Sequence, residues 1–513
     1  MANKQLSVDS IETSPAKGFS GKTPLSVFTG QIFIYIPALL IPGVINVIAL
    51  AFYTRLLSSE AYGRYALVLA VVITTKMLAF EWLRLGLFRF FQKMHRNGNS
   101  YALISTTLVV FVVICSLVSV FWVLCINLIP VEERLKDNLW VGLPLLLVWA
   151  LFDQILQINR ASIEPIRYGL LSAIRAVLCF TGAIAFLVFS DQGEKGLILG
   201  LIFGISITIS VDLHRWIKRM ALHLIEWKLI ADLLRYGLPL TVSLGLGLVI
   251  SISDRFLLQY YMDSQAVGVY SASYDLANQT VVIVFTILNL AVYPLVLKAL
   301  EHEGIKSAQE HLRRYSIILF AVTIPVVVCL ALIAKPISTV LLGVSFRQDA
   351  LNLIPLVAIS TFFMGARTFY ADLAFQIGMR TDLQIWCVAA GALLNVVLNL
   401  CWIPVYGLMG AVWATCAAYT LALILSLIIG RKVFRLPFPA SDFLRILIST
   451  LVMAVGLLAV PRRDGDLNTL GTLFVLSVGL YTLMIWLTNV GGVRRHLTYS
   501  RNWLVLLFKQ KLR

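Results

Sequence analysis

Charged residues and helix breakers cut the chain into apolar stretches of about 20 residues, which follow one another from residue 29 to residue 488. An α-helix needs that length to cross about 30 Å of hydrocarbon. Only 13% of the residues are charged, about half the share typical of water-soluble proteins. The alternating segments that mark an outer-membrane barrel are absent. The sequence therefore predicts an all-α protein that crosses a membrane many times, and it excludes soluble, disordered and coiled-coil folds.

The apolar stretches predict about fourteen transmembrane helices. They are placed at residues 29–53, 63–85, 101–128, 138–158, 166–189, 195–213, 237–261, 267–297, 314–334, 351–376, 383–403, 407–430, 443–461 and 469–488. When the N-terminus is put in the cytoplasm, the cytoplasmic loops hold most of the Lys and Arg residues, as the positive-inside rule requires. An even number of spans then leaves both termini in the cytoplasm. The net charge of +16 is thus explained by membrane topology, and no nucleic-acid partner is expected.

A short motif occurs twice, after the first and after the seventh predicted helix. Residues 58–66 read Ser-Ser-Glu-Ala-Tyr-Gly-Arg-Tyr-Ala, and residues 263–271 read Asp-Ser-Gln-Ala-Val-Gly-Val-Tyr-Ser. Identical residues coincide at an offset of 205: Ser59/Ser264, Ala61/Ala266, Gly63/Gly268 and Tyr65/Tyr270. Because six helices separate the copies, the two halves would cross the membrane in the same sense, related by an axis along the membrane normal. This predicts two pseudo-symmetric six-helix lobes followed by two further helices.

The chain is accordingly expected to have six parts. They are a disordered cytoplasmic tail (1–28), an N-lobe with helices 1–6 (29–213), an amphipathic cytoplasmic linker (214–236), a C-lobe with helices 7–12 (237–430), a segment with helices 13 and 14 (431–488) and a basic cytoplasmic tail (489–513). The linker, the C-terminal tail and the stretch 298–313 are basic and mildly amphipathic, which suits helices that lie in the membrane interface. A role as orientation signals alone would explain their composition as well.

Two regions of the chain carry a resemblance to a known family. The first reads Tyr-Gly-Leu-Pro-Leu from residue 236, Ser-Asp-Arg-Phe at 253–256, Val-Gly-Val-Tyr-Ser-Ala at 267–272 and Asp-Leu-Ala at 275–277; the second has Asn395-Val-Val-Leu-Asn399, Ile403-Pro-Val-Tyr-Gly407 and Gly410-Ala411. Together they resemble the polysaccharide repeat-unit flippases of the MOP (multidrug/oligosaccharidyl-lipid/polysaccharide) superfamily, which serve O-antigen, capsule and exopolysaccharide assembly. The likeness covers nearly the whole chain in length, helix number and lobe division, while the short motifs specify the superfamily better than the substrate.

The resemblance implies a MATE/MOP-like transporter in the bacterial inner membrane. Such a protein moves an undecaprenyl-pyrophosphate-linked oligosaccharide from the cytoplasmic to the periplasmic leaflet by alternating access between two lobes, in many members by antiport of H⁺ or Na⁺. Its implied partners are the lipid-linked oligosaccharide, the coupling ion, membrane lipids and other polysaccharide-assembly proteins. No cofactor is implied.

Ionisable side chains inside the predicted helices are the first functional candidates, because each costs about 2.5–3.5 kcal/mol by insertion scales. Four cations lie at different depths and are predicted to line a cationic cleft that binds a pyrophosphate head and acidic sugars: Lys76, Arg175, Arg255 and Arg367. Alternatives stay open for all four. Arg255 could form a closed ion-pair cluster with Asp254 and Asp275, and the others could pair with Asp153 or Asp372 on another helix.

Other polar residues complete the candidate site. Asn395 and Asn399, four residues apart on one helix face, could bond sugar hydroxyls or a neighbouring helix. Because no histidine lies in a predicted span, a coupling ion would have to act on a carboxylate, and Asp153 and Asp275 are the candidates. A permanent salt bridge is the alternative role for both. No catalytic residue and no metal site are expected.

Two rival functions can be weighed on the same sequence. An enzyme of polysaccharide assembly normally needs a large extramembrane loop or domain and a nucleophile–base or metal constellation; the sequence predicts neither, so no enzymatic activity is expected. A cation-coupled multidrug exporter of the same superfamily is the closer rival. Such exporters capture cations and typically end after twelve helices, so the additional spans 443–461 and 469–488 favour the oligosaccharide branch.

Overall fold

The computed structural model describes residues 24–96, 99–128, 130–162, 164–217, 224–460 and 467–494. Within these ranges the backbone is almost entirely helical and contains no β-strand. Twelve of the described helices are long and apolar enough to cross a membrane. The predicted all-α, multi-pass membrane fold is confirmed.

The first lobe consists of six helices, one for each predicted span. They are α1 (Pro24–Leu56), α2 (Ser59–Arg96), α3 (Ser100–Leu128), α4 (Glu133–Ala161), α5 (Pro165–Phe189) and α6 (Glu194–Ile217). Small residues let α5 and α6 pack closely: a Cβ atom added to Gly200 would lie 2.3 Å from the Ala183 Cα, and one added to Gly204 would lie 2.4 Å from the Cys179 nitrogen. Such close backbone approach is a main source of helix association in lipid.

The second lobe contains the helices that follow residue 224, and two further helices come after it. They are α7 (Trp227–Tyr261), α8 (Ser264–His302), α9 (Ile305–Leu332), α10 (Ala334–Leu341), α11 (Val344–Ala366), a π-helical turn (Arg367–Ala371), α12 (Leu373–Ile377), α13 (Thr381–Val433), α14 (Ala440–Leu458) and α15 (Leu467–Thr488). The tenth predicted span is thus built from α11, the π-helical turn and α12. The last two helices both pack on the lobe: α14 contacts α9, and the Tyr481 hydroxyl of α15 donates to the Ala321 carbonyl of α9.

Helix α13 is long enough to cross a membrane twice. Its 53 residues would measure about 80 Å if straight, far more than the hydrocarbon thickness. The chain instead turns at Gly407, whose φ of 56° is favoured by glycine. The two halves then lie side by side, because a Cβ on Gly391 would touch the Ala418 oxygen at 3.0 Å. The predicted spans 383–403 and 407–430 are these two halves.

The two copies of the repeated motif meet each other in space. A Cβ atom on Gly63 would lie 1.7 Å from the Ser264 carbonyl oxygen, and one on Gly268 would lie 1.8 Å from the Ser59 carbonyl oxygen. The first turns of α2 and α8 therefore cross reciprocally, as two elements related by an axis between the lobes would. We call the end of the bundle that holds this crossing the motif end, and the opposite end the tail end.

The lobes also touch nearer the tail end. A Cβ on Gly237 of α7 would lie 2.1 Å from the Trp82 oxygen of α2, and one on Gly43 of α1 would lie 2.5 Å from a side-chain atom of Ile283 of α8. Helices α1 and α2 of one lobe thus contact α7 and α8 of the other.

Several helices extend beyond the apolar spans. Helix α7 already begins at Trp227, inside the predicted linker 214–236, and the predicted interfacial stretch 298–313 is shared between the end of α8 and the start of α9. The physical reason is that a helix satisfies its own backbone hydrogen bonds and need not end where the hydrocarbon does. Most of the predicted tails, residues 1–23 and 495–513, lies outside the described residues.

Candidate functional site

A cavity of about 430 Å³ lies between the two lobes. Helices α1, α2, α4, α5 and α6 form one wall, and α7 and α8 form the other. Polar side chains from both lobes line it: Asn46, Tyr53, Tyr62, Tyr65, Arg175, Ser251, Arg255, Tyr274, Asp275, Asn278 and Gln279. The sequence-predicted Arg175, Arg255 and Asp275 are therefore brought together at one cavity.

Arg175 is held in this cavity by two aromatic rings. It lies on α5, with its guanidinium carbon 5.2 Å from the Phe152 ring centroid and 6.0 Å from that of Trp149. Its Nε atom is buried without a hydrogen-bond partner, and the described residues provide it with no ion-pair partner within 4.0 Å. Rings stabilise a cation without neutralising it. The charge of Arg175 thus stays available to an anion in the cavity.

Lys76 contacts the same Trp149 ring as Arg175. Its ammonium group is 4.5 Å from the Trp149 centroid and forms an ion pair with Asp153 of α4. The alternative of pairing with Asp153 is therefore realised for Lys76. Trp149 lines the cavity, whereas neither Lys76 nor Asp153 does. The indole ring of Trp149 is thus the contact that this pair shares with Arg175.

Arg255 lies opposite, on α7. Its Nη2 atom is 2.7 Å from the Asp275 carboxylate of α8, and its guanidinium carbon is 5.9 Å from the Tyr274 ring centroid. The Asp275 side chain keeps 29% of its surface exposed, against 8% for Arg255. An Arg255–Asp275 ion pair therefore lines the cavity, and its carboxylate is the more accessible partner.

Asp254 lies behind this pair and is completely buried. Its carboxylate accepts hydrogen bonds from the Tyr270 hydroxyl, from the Thr415 hydroxyl at 3.2 Å and from the Arg255 backbone nitrogen at 3.2 Å. Of the predicted ion-pair cluster of Asp254, Arg255 and Asp275, the described contacts contain the Arg255–Asp275 ion pair, while Asp254 meets Arg255 only through the backbone N–H. Hydroxyl groups and a backbone N–H satisfy the buried Asp254 carboxylate, whereas the Arg255 guanidinium pairs with the half-buried carboxylate of Asp275.

Asn395 and Asn399 belong to the same buried network and do not line the cavity. Asn395 accepts from Ser253 Oγ at 2.9 Å and donates to Thr415 Oγ1 at 3.3 Å, and Asn399 donates to Asn395 at 3.1 Å. Both amides are completely buried. The sequence left two roles open for these asparagines, and the observed hydrogen bonds correspond to the second, bonding between neighbouring helices.

Arg367 lies away from the central cavity, in the π-helical turn of the second lobe. It forms an ion pair with Asp372 at 3.8 Å, and its Nε and Nη1 atoms are buried without hydrogen-bond partners. Gln384 of α13 donates to the Asp372 carboxylate at 3.1 Å. The structure thus assigns Arg367 the pairing alternative and does not bring it to Arg175 or Arg255.

Sequence reasoning did not identify the tyrosines of the site. Tyr65 and Tyr270 occupy equivalent positions of the repeated motif, yet Tyr65 lines the cavity and Tyr270 donates to Asp254. The repeat pairs these residues in the sequence, which would have been a signal for them. It could not show that one faces the cavity and the other a buried carboxylate, because that depends on the packing of α8 against α7.

The comparisons with known proteins agree with this architecture. The model of the polysaccharide biosynthesis protein family matches residues 29–300. A Shigella flexneri protein named "Putative O-antigen transporter" is 22% identical over 386 residues, covering 72% of this chain and 90% of that protein.

Solved structures share the fold at low sequence identity. The lipid II flippase MurJ in an inward closed conformation matches with a TM-score of 0.71 and 15% identity, over 90% of this chain and 99% of that one. An inward-facing multidrug-resistance MATE transporter of the MOP superfamily matches with a TM-score of 0.62 and 15% identity, over 77% and 97%. Since the family model also covers more than half of the sequence, the chain belongs to the polysaccharide biosynthesis protein family and has the membrane-transporter fold of the MOP superfamily, as its motifs predicted.

Proposed function

We propose that the protein flips an undecaprenyl-pyrophosphate-linked oligosaccharide repeat unit across the bacterial inner membrane, from the cytoplasmic to the periplasmic leaflet, in cell-surface polysaccharide biosynthesis. The family and the relative named for O-antigen transport support a lipid-linked sugar as cargo. The observation that carries the proposal is Arg175, a cation without an acidic partner among the described residues, in a cavity between two lobes. A pyrophosphate cannot leave water without such a partner.

The tail end is assigned to the cytoplasm in this proposal. Exposed basic residues are concentrated there, at the start of α9 and the end of α13: Lys306, Arg313, Arg314, Arg431, Lys432 and Arg435. The positive-inside rule places such a cluster in the cytoplasm. Both termini then lie on the same side, and the motif end faces the periplasm.

The cavity geometry suggests how the cargo would be handled. Arg175 would bind the pyrophosphate. Four tyrosines would offer ring faces and hydroxyls to the sugars: Tyr53, Tyr62, Tyr65 and Tyr274. Because the crossing at Gly63 and Gly268 packs backbone against backbone, release toward the periplasm requires the motif end to open. Alternating access would then be a rocking of the two lobes about the cavity.

Coupling to H⁺ or Na⁺ is proposed to act through Asp153 and Asp275. Each carboxylate forms an ion pair with a cation of the site, Lys76 or Arg255. A proton or Na⁺ on the carboxylate would weaken that pair and release the cation toward the cargo. Asp275 is the stronger of the two candidates, because it lines the cavity.

The alternative function is a cation-coupled multidrug exporter. The structural match to a MATE transporter and the accessible carboxylate of Asp275 favour it. Against it, the unneutralised charge of Arg175 would repel a cationic drug in the same cavity, and α14 and α15 extend the chain beyond a twelve-helix plan.

The deciding experiment uses the native host with the protein deleted. Lipid-linked repeat units should accumulate in the inner leaflet of spheroplasts, and surface polysaccharide should be lost. Complementation with Arg175→Ala should restore at least about tenfold less surface polysaccharide than wild type, because a charge-assisted contact to phosphate is removed. Arg175→Lys should restore an amount between those of Arg175→Ala and wild type. Arg314→Ala, which removes an exposed cation paired with Glu310, is the matched control.

Three results would contradict parts of the proposal. Unchanged lipid intermediates together with new sensitivity to cationic dyes would move the protein to the exporter class. Full export by Arg175→Ala, at wild-type protein level, would remove the role of the cationic cavity. A C-terminal tag that is cleaved by protease added outside spheroplasts would contradict the orientation.

A further inference from the structure

A second pocket of about 320 Å³ lies inside the second lobe, apart from the central cavity. Helices α9, α11 and α13 surround it, and the connection from α13 to α14 closes one side. The two pockets share no lining residue. Nothing in the proposed transport cycle uses this second pocket.

The closing connection, residues 434–439, is an extended strap. It reads Phe-Arg-Leu-Pro-Phe-Pro, and its alternation sends Phe434, Leu436 and Phe438 into the pocket. Arg435, between them, is exposed. Two side chains from the lobe hold the strap by its carbonyl groups: Gln309 donates to Arg435 O at 3.2 Å, and Tyr370 donates to Pro437 O at 3.4 Å.

The interior of the pocket is aromatic. Phe320 of α9 lines it and contacts three other rings, with centroid distances of 5.4 Å to Tyr370, 5.4 Å to Phe443 and 6.4 Å to Phe438. Tyr370 is presented by the π-helical turn, a feature frequently found at functional sites. Phe438 remains 52% exposed, so the rings reach the surface of the bundle. Such a chamber suits a hydrocarbon chain.

The rim of the pocket is cationic. Arg431 lines the pocket and is exposed, and its neighbour Lys432 is exposed as well. Within the described ranges neither cation has a carboxylate within 4.0 Å. Basic pockets between transmembrane helices bind the phosphate head groups of lipids. A free phosphate would leave the aromatic chamber unfilled, and an uncharged hydrocarbon chain would leave Arg431 without an anion.

We propose that this pocket binds an anionic membrane phospholipid, with one acyl chain among the rings and the phosphate on Arg431. The bound lipid would brace the strap against α9 and α11, and so join the last two helices to the lobe. The inference is independent of the transported cargo, because it rests on Arg431 and the rings and not on Arg175.

The test measures lipid binding to the full-length protein in detergent, by native mass spectrometry and by thermal unfolding. Phosphatidylglycerol with long chains should bind and raise Tm, whereas phosphatidylcholine should bind at least about tenfold more weakly. Shortening the chains should weaken binding about fourfold for each CH₂ removed from the pocket. Arg431→Gln should reduce phosphatidylglycerol affinity about tenfold, and Lys432→Gln, the adjacent exposed cation that does not line the pocket, should leave it near wild type.

A second variant fills the chamber instead of changing its charge. Ala366→Phe places a ring where a small side chain now lines the pocket, and it should abolish the lipid-dependent rise in Tm. The proposal would be overturned if phosphatidylcholine bound as tightly as phosphatidylglycerol. It would also be overturned if Arg431→Gln and Lys432→Gln lowered phosphatidylglycerol affinity equally, or if Arg431→Gln and Ala366→Phe both bound it like wild type. Displacement of the phospholipid by a polyprenyl pyrophosphate would overturn it too, and would identify an isoprenoid chain as the occupant.

Discussion

Charged side chains inside the bundle are stabilised in three different ways. Arg175 is surrounded by aromatic rings, Lys76 is paired with a carboxylate, and the buried Asp254 carboxylate is satisfied mainly by hydroxyl groups. All three avoid the cost of an unpaired charge in a medium of low dielectric. They differ in what remains available to a ligand, because only the ring-bound cation keeps its full charge. At the residue scale, the type of partner thus decides which charged group can bind a ligand.

Asp275 offers a prediction at this scale. Asp275→Asn removes the charge that the coupling ion is proposed to neutralise, so residual export should no longer respond when the H⁺ and Na⁺ gradients are collapsed. Export by the wild type should fall under the same treatment. Asp382→Asn changes an exposed ion pair with Arg380 and should behave as wild type. Gradient-dependent export by Asp275→Asn, equal to that of wild type, would show that coupling lies elsewhere.

Helix packing in this protein depends on small residues and on buried polar contacts. Gly200 and Gly204 bring α5 and α6 into backbone contact, while Asp254, Asn395 and Thr415 join α7 to the two halves of α13. Both devices suit a membrane, where lipid is as apolar as leucine and hydrophobicity alone does not draw helices together. At the element scale, the polar contacts determine which faces of α7 and α13 meet.

The contact between α7 and α13 yields a stability prediction. Asp254→Ala leaves the hydroxyls of Tyr270 and Thr415 buried without their acceptor, at a cost of about 1–3 kcal/mol each. The Tm of the purified protein in detergent should therefore fall clearly. Asp349→Ala, a change away from this network, serves as the control and should leave Tm nearly unchanged. Equal Tm values for the two variants would mean that the network contributes nothing to the fold.

The whole molecule consists of two related lobes that meet at equivalent places. The crossing of α2 and α8 closes the motif end through Gly63 and Gly268, two positions that the repeat makes equivalent. Arrangements of this kind can open and close by rocking one lobe against the other. At the scale of the whole molecule, the repeated motif reveals the pseudo-symmetry of the lobes and also forms the contact that closes the motif end.

Substituting these glycines tests the rocking motion. Gly63→Ala or Gly268→Ala puts a Cβ within 2 Å of a backbone oxygen, so the motif end should not close and export should be lost at normal protein level. In a background without the seven native cysteines, Asn46→Cys in the cavity should react faster with a membrane-impermeant reagent added from the periplasm when either glycine is substituted than when both are present. Gly245→Ala, which meets open space, is the matched control. Normal export by both motif variants would show that this crossing does not need to form.

Much of the fold was predictable from local chemistry. Each apolar stretch of about 20 residues must become a helix, because lipid leaves every backbone polar group to be satisfied within the segment. The motif repeated around Gly63 and Gly268 predicted the two lobes, because similar motifs at the same position of two helical units indicate that the units have similar structures. The boundaries were less predictable, as the start of α7 at Trp227 shows, because a helix can continue into water.

The site divides in the same way. By itself the sequence determined which cations lie at membrane depth, namely Lys76, Arg175, Arg255 and Arg367, because hydropathy and charge are local properties. Only the tertiary structure decided that Arg175 faces the central cavity among rings, that Arg367 pairs with Asp372 in the second lobe, and that Asn395 joins helices. The physical reason is that a side chain's partner depends on the rotation of its helix and on the neighbouring helices, and packing across the bundle sets both.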